Sequence, residues 1–462
     1  MTSTGLLILA SGLFLMTFAS MPGVGRRIRG LSYGWYVVAA CMFIALVTVG
    51  ARNAIGVFVI PMSAEFGWSR TAISFAGALG LLVNGVTQPF LGMLYDRKGK
   101  KVILISLVVV GLATMALSLT FHILFLAFMF GIVVSTGLSG ASLTNTAALL
   151  SRWFHRKRAT VIGMNASGVS VGAILLVPFA SYFIAATDSW RATWLALGAV
   201  ILWSVPFAWM FLHDSPADKG LQPDGDSAPP ASSALGPAGR ATGPLDTDQW
   251  TQSFRSPPFW QMSGSYIVCG ATTFVLAFHF VAFAQEDRGV SAGLAATIFG
   301  LMGGLNLIGS IGAGILSDRF TRKDLLAIVY FTRGLAYMIL LVPSMIDMPV
   351  LSGDLGLWLF AVAAGASWIA TAPLTSTLTA DVYGLRALGT ISGVSFTFHQ
   401  VGGFGSVLLA GYLKDLTGSY TLPFLLVGSL LFPAALSAFS INERRYSVRY
   451  AAQTAPAAAG SD

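Results

Sequence analysis

Runs of about twenty uncharged, mostly apolar residues recur along nearly the whole chain, and a helix needs a segment of that length and character to cross a bilayer. Inside the hydrocarbon no water is available to backbone N–H and C=O groups. Each must be satisfied within its own segment, which a helix does locally and an open sheet cannot. Only 10% of the 462 residues are charged and 55% are hydrophobic, too little charge to cover a water-soluble globule. The chain is therefore read as an all-α membrane protein with twelve transmembrane helices.

The runs predict spans at about 33–60, 72–94, 102–121, 123–150, 159–184 and 192–213. After a polar break a second set follows at about 259–283, 292–316, 325–346, 355–378, 389–413 and 421–441. The chain then divides into an N-terminal apolar segment with a basic cluster (1–30), a six-helix bundle (31–213), a linker (214–258), a second six-helix bundle (259–441) and a tail (442–462).

Cytoplasmic loops are enriched in Lys and Arg. With Arg26 on that side, 21 of the 27 basic residues fall inside. Arg70, Arg191, Arg288 and Lys414 fall outside, and Arg52 and Arg333 lie within spans. Both termini, the linker and the tail are then cytoplasmic, and the expected location is the bacterial inner (plasma) membrane. The net charge of +8 does not point to nucleic acid, because its basic residues sit between spans and not on one solvated face.

The linker carries eight prolines among Gly, Ser and Asp and reads as disordered. Leu6 to Met21 is apolar, but its positive charges, Arg26, Arg27 and Arg29, follow it; a cleaved signal peptide carries them in front. It is read as an interfacial or extra helix, or as the product of a start assigned too early. Cys41 and Cys269 both fall in apolar stretches and read as small buried hydrophobes. No zinc or haem spacing occurs, so neither metal nor cofactor is expected.

The most specific signal is an internal repeat. GMLYDRKGKKVIL, at the end of the second span, returns 222 residues later as GILSDRFTRKDLL. Gly92 falls on Gly314, Asp96 on Asp318, Arg97 on Arg319 and Asn84 on Asn306, while Gly99 becomes Thr321. A short glycine-bearing loop lets Asp96 approach a neighbouring helix N-terminus, where the macrodipole and free amides stabilise a carboxylate. Such a contact can latch two packed halves closed and break as they rock about a central site.

The pattern GxLxDRxGRK between second and third spans, echoed between eighth and ninth, resembles the signature of the major facilitator superfamily, over roughly residues 31–445. The resemblance implies two pseudo-symmetric six-helix bundles, alternating access, and gating roles for Asp96, Arg97, Asp318 and Arg319. Tyr33-Gly34-Trp35 and the stretch WFHRKRATVIGMNASG (Trp153–Gly168) resemble the monocarboxylate transporter and oxalate:formate antiporter-like branch. Drug-exporting branches carry an Arg in span four and a Gly-Pro pair in span five. Here span four as drawn has no basic residue, and Val169 follows Gly168. The match also fails in span eight, where Leu305 and Gly309 stand in place of the acidic-basic pair of animal monocarboxylate transporters.

An ionised residue inside a span costs about 2.5–3.5 kcal/mol, so it needs a partner or a job. Arg52 lies one position from where the monocarboxylate family places a substrate-binding lysine, and its planar guanidinium suits a carboxylate. Snorkelling or pairing with a structural carbonyl is the alternative. Arg333, in the usually peripheral span nine, reads as structural. His399 and Gln400 sit mid-span eleven, where a histidine can carry a proton or simply pack. Asn306 completes the expected substrate-binding set of Arg52, Asn306, His399 and Gln400. Asn84, Ser142, Tyr266 and Trp368 are open to either cavity-lining or packing roles, and no central carboxylate is present to carry a proton.

These residues point to a secondary active transporter of a small organic anion, a monocarboxylate or related acid, by proton symport or anion exchange. The competing reading is an exporter of a neutral or cationic metabolite or drug. A membrane enzyme or receptor would need a catalytic set, a phosphate-binding loop or a folded soluble domain, and none is visible.

Overall fold

The computed structural model describes residues 32–68, 70–225, 245, 247, 249–346, 348 and 353–451. The segment read at 1–30, the middle of the linker and residues 452–462 lie outside them. Among the described residues there is no strand.

The first half comprises α1 (Gly34–Asn53 continued by Ile55–Phe66), α2 (Arg70–Lys98), α3 (Lys100–Ala116), α4 (Ile123–Trp153), α5 (Arg158–Thr187) and α6 (Trp190–Phe211). The second comprises α7 (Pro257–Glu286), α8 (Ala292–Arg319), α9 (Arg322–Met345), α10 (Asp354–Tyr383, interrupted at Trp368–Ala370), α11 (Leu388–Thr417) and α12 (Thr421–Phe439). Short polar residues start several of these helices: Ser142, Ser189 and Ser291 each accept from a backbone N–H three residues on.

Eleven of the twelve are long and apolar enough to cross a membrane. The exception is α11, whose thirty residues are diluted by glycines, hydroxyls, His399 and Gln400. α4 is not a uniform helix either. It holds a π-helical stretch at Ala127–Val134 and breaks again at Ala141–Ser142, and it extends to Trp153, which brings Arg152 into its last turn.

One apolar core joins α1 to α6 and a second joins α7 to α12. Lipid tails are as apolar as leucine, so burial alone does not pull helices together in a membrane; close backbone approach at small residues does. The halves meet mainly along α2 against α11 and α5 against α8. A Cβ added to Gly92 would strike the backbone of Gly389, and one on Gly314 the backbone of Ala159. These repeated glycines therefore let each motif helix reach the first turn of a helix in the opposite half.

The expectation of a disordered segment at 214–258 fails at its ends. Asp214 accepts from Lys100 N at 2.6 Å, and Asp224 accepts from His155 N and Arg156 N, both at 3.1 Å. Leu245 N donates to Val382 O, and Trp250–Arg255 forms a helical turn leading into α7. Proline- and glycine-rich composition hid these acid-to-backbone caps. The tail is likewise folded at its start: Glu443 is buried and accepts from Lys323 N at 2.9 Å.

Candidate functional site

At the end of the bundle that carries the linker, each repeated aspartate caps a helix of the other half. Asp96 accepts from Gly389 N (2.9 Å), Thr390 N (2.8 Å) and Thr390 Oγ1 (2.7 Å) at the start of α11. Asp318 accepts from Ala159 N (2.9 Å), Thr160 N (2.9 Å) and Thr160 Oγ1 (2.6 Å) at the start of α5. A carboxylate there meets free amides and the positive end of the macrodipole. Arg97 and Arg319 are exposed beside these contacts and are not brought into them.

Other basic residues sit closer. Arg158, the first residue of α5, reaches Asp381 of α10 at 2.7 Å, and Arg322 of α9 pairs with the same carboxylate. All three side chains are at least 96% buried. Arg449, in the tail, donates to the α8 C-terminal carbonyls of Ser317 (3.1 Å), Asp318 (3.1 Å) and Phe320 (3.0 Å). On the other side Arg152 lies over the Tyr95 ring, 5.4 Å from its centroid. His155 lies beside Arg158 outside the spans. Burial first, and then the Arg158 guanidinium, hold its imidazole below its ordinary value, with Asp224 pulling the other way.

Deeper in, the two repeated asparagines bridge the halves in matching ways. Asn84 Nδ2 donates to Ser135 O and Ser139 Oγ of α4, while its Oδ1 accepts from Gln400 Nε2 of α11 at 3.0 Å. Asn306 Nδ2 donates to Ser170 Oγ of α5 at 2.7 Å, while its Oδ1 accepts from Ile369 N, at the interruption of α10. Both Asn306 polar atoms are thus engaged by protein. The α5–α8 contact ends near this level: one turn further along α8, Gly303 has nothing within 4 Å of a Cβ among the described residues.

His399 points to α7. Its ring centroid is 4.6 Å from that of Tyr266 and 5.6 Å from that of Phe274, and it stacks on Phe396 at 5.5 Å. Its Nδ1 lies 3.3 Å from Gln400 Oε1. The reading of Cys269 as an apolar filler does not hold. Its sulfur lies 3.1 Å from Thr371 Oγ1 and 3.6 Å from Arg333 Nη1. The buried Arg333 side chain donates as well to Thr272 Oγ1 (3.3 Å), Ser367 O and Trp368 O, and so holds the carbonyls freed where α10 is interrupted. Ser142 caps the second part of α4 and accepts from Gln88 Nε2.

Arg52 stands apart from all of this. It is only half-buried and has no hydrogen bond or ion pair among the described residues. By helix rise it lies about 27 Å from the linker end of α1, beyond the Asn84–Gln400 level. It is followed at once by exposed Asn53 and by Gly56, whose Cβ position is open.

The structure therefore brings His399, Gln400 and Asn84 together, places Asn306 in the equivalent bridge, and leaves Arg52 separate. The Arg158–Asp381–Arg322 triad and the Cys269–Arg333 contact were not anticipated. Arg158 appeared only as part of a basic motif, and nothing adjacent to Asp381 or Cys269 in the chain marks their partners.

A model of the Major Facilitator Superfamily matches residues 41–407. The MFS-type transporter YcxA of Bacillus subtilis is 24% identical over 406 residues, covering 84% of this chain and 90% of YcxA. Monocarboxylate transporter 12-B of Danio rerio is 26% identical over 435 residues, covering 90% of this chain and 88% of that protein. Among solved structures, the proton:xylose symporter XylE bound to 6-bromo-6-deoxy-D-glucose is similar with a TM-score of 0.68 at 15% identity, over 91% of this chain and 98% of that one. That likeness concerns the fold.

Proposed function

This chain belongs to the major facilitator superfamily, and from that premise we propose that it carries a small organic anion, a monocarboxylate or related acid, by alternating access. It is a multi-pass membrane transporter and not an enzyme. Proton symport and anion exchange are the two modes that fit.

The observation that carries the choice of an anion is the sign of the embedded charge. Every described Asp and Glu lies in a loop or within the terminal turn of a helix, whereas Arg52, Arg333, His279 and His399 lie inside helices. A cationic solute would meet no counter-charge there. Arg52, unpaired beside an open stretch of α1, offers a two-pronged donor for a carboxylate and is the proposed anchor. Relatives named as monocarboxylate transporters support the same solute class.

The charge bias of the loops supports a cytoplasmic linker end. With both aspartate latches made there, this form is the outward-facing one, and Asp96 and Asp318 are its gates. Gln400 and Asn306 serve as the floor of the solute site, and His399 lies beside them against α7.

The test is uptake of labelled acetate, lactate and benzoate into proteoliposomes. Uptake of at least one acid, lost in Arg52→Ala and partly kept in Arg52→Lys, is expected. Unchanged uptake in Arg52→Ala removes this residue from the site, and absence of uptake of all three defeats the reading.

A further inference from the structure

With no carboxylate in the middle of the bundle, a proton travelling with the solute needs another carrier. Of the groups that exchange protons near neutrality, Cys41 packs in the apolar core of the first half, and His279 is tied to Val407 O at 3.2 Å near the far end of α7. His399 and Cys269 remain.

His399 is oriented by a chain of amides whose directions are fixed one by one. Asn84 Nδ2 is committed to two oxygens of α4, which turns its Oδ1 toward Gln400 Nε2; that bond in turn points Gln400 Oε1 at His399 Nδ1. A carbonyl oxygen only accepts, so Nδ1 carries a hydrogen and Nε2 is the nitrogen that gains or loses the exchangeable one. Two of these residues belong to α11 and one to α2, so the chain crosses between the halves.

We propose that His399, oriented across the interface by Asn84 and Gln400 and seated against Tyr266 and Phe274, is the site at which the coupling proton is carried. This rests on the transporter reading above and adds to it a proton-coupled mode and its residue. The groups facing the imidazole are Tyr266 and Phe274 from α7 and Gln400 and Phe396 from its own helix; Cys269, one turn along α7 from Tyr266, holds Arg333 of α9 and Thr371 of α10 nearby.

The step itself is a proton transfer: an N–H bond forms at His399 Nε2 when a proton enters from the open side, and the same bond breaks on release. The Gln400 carbonyl favours the protonated ring only while Asn84 holds it. When α2 and α11 separate at the linker end, that support is lost and the proton leaves more readily. Protonation therefore favours the form closed at the linker end, and opening there favours release, as a symporter requires.

Two experiments test this. The first needs no solute. Because Cys41 and Cys269 are buried, spin labels can be placed on cysteines introduced at Lys98 and Arg444, exposed at the linker end of opposite halves. In liposomes the fraction with the short distance is expected to rise as pH falls. His399→Gln should flatten that titration, and Gln400→Ala should lower the short-distance fraction reached at the acid end. An unchanged curve in His399→Gln, or an unchanged acid-end fraction in Gln400→Ala with normal thermal unfolding, overturns the proposal.

The second uses vesicles enclosing a pH-sensitive dye and given an acetate, lactate or benzoate gradient. His399→Gln should lose solute-driven acidification at least about tenfold while solute:solute exchange falls much less. Equal loss of both overturns the proposal, since it marks a solute-binding or structural residue. If wild type carries none of the acids yet titrates through His399, the anion reading fails and the proton site stands.

Discussion

The Asp96 and Asp318 latches share one geometry and differ in what stands behind it. Each carboxylate takes two backbone amides and a threonine hydroxyl from the first turn of a helix in the other half. Behind Asp318, however, lie the buried Arg158–Asp381–Arg322 triad and the Arg449 clamp on the end of α8. Behind Asp96 the corresponding positions are Ser151 in place of Asp381, Leu388 in place of Arg158 and Lys100 in place of Arg322. Duplication kept the helix cap, which is local, and let the charge pairing diverge. The two halves are thus joined by one contact that costs little to break and one that is tied to desolvated charge.

That asymmetry can be broken at its strongest point first. Asp381→Asn leaves two buried guanidinium groups without their acid and should destabilise the protein by about 3–5 kcal/mol, seen as a large fall in melting temperature and folded yield. Ser151→Ala, at the corresponding position, should leave both nearly unchanged. Next come the caps themselves. Asp96→Asn should lose about 1.4 kcal/mol and shift the spin-label populations toward the form open at the linker end by about tenfold. Asp318→Asn should shift them less, because the triad still spans the gap, and an equal shift in the two variants would show that the triad does not hold the interface.

Arg449→Ala should cost about 1 kcal/mol and narrow the difference between the latches, again read from the label populations. The smallest effect concerns His155. An unfolded imidazole titrates near 6.5 and this folded one lower, so between those values the unfolded chain binds more protons. Stability therefore falls as pH drops below 6.5, and above it the effect vanishes. His155→Gln should remove that slope from the pH dependence of the melting temperature.

Much of the fold was legible because the bilayer imposes its length on each segment, and each of the twelve apolar runs lies within six residues of its helix at either end. What failed was informative. Arg152 was placed outside α4 because charge was taken to end a span, whereas its guanidinium rests on Tyr95. The motif aspartates could be recognised from register, yet their acceptor sites could not, because Thr160 and Thr390 meet them only after folding. Asp381 and Arg158 are 223 residues apart, and no local pattern pairs them. Cys269 looked apolar because its neighbours in sequence are, while its polar contacts arrive from α9 and α10. Gly99 and Thr321 show the same limit. Gly99 sits at φ 59° against Asp214, and its counterpart Thr321 at φ −62° bonds Asp324 instead, so the repeat closes the same turn by two different means.

The low apolarity of α11 has a consequence for biogenesis. A nascent segment partitions from the translocon into lipid according to its own hydrophobicity, and this one carries His399, Gln400 and several glycines through its centre. It gains a low-energy place in the bilayer only when α7 and α2 are already there to receive its polar side chains. The helix on which the inter-half bridge depends is thus the one whose entry into the membrane must wait for its neighbours, and synthesis order, with α11 nearly last, meets that need.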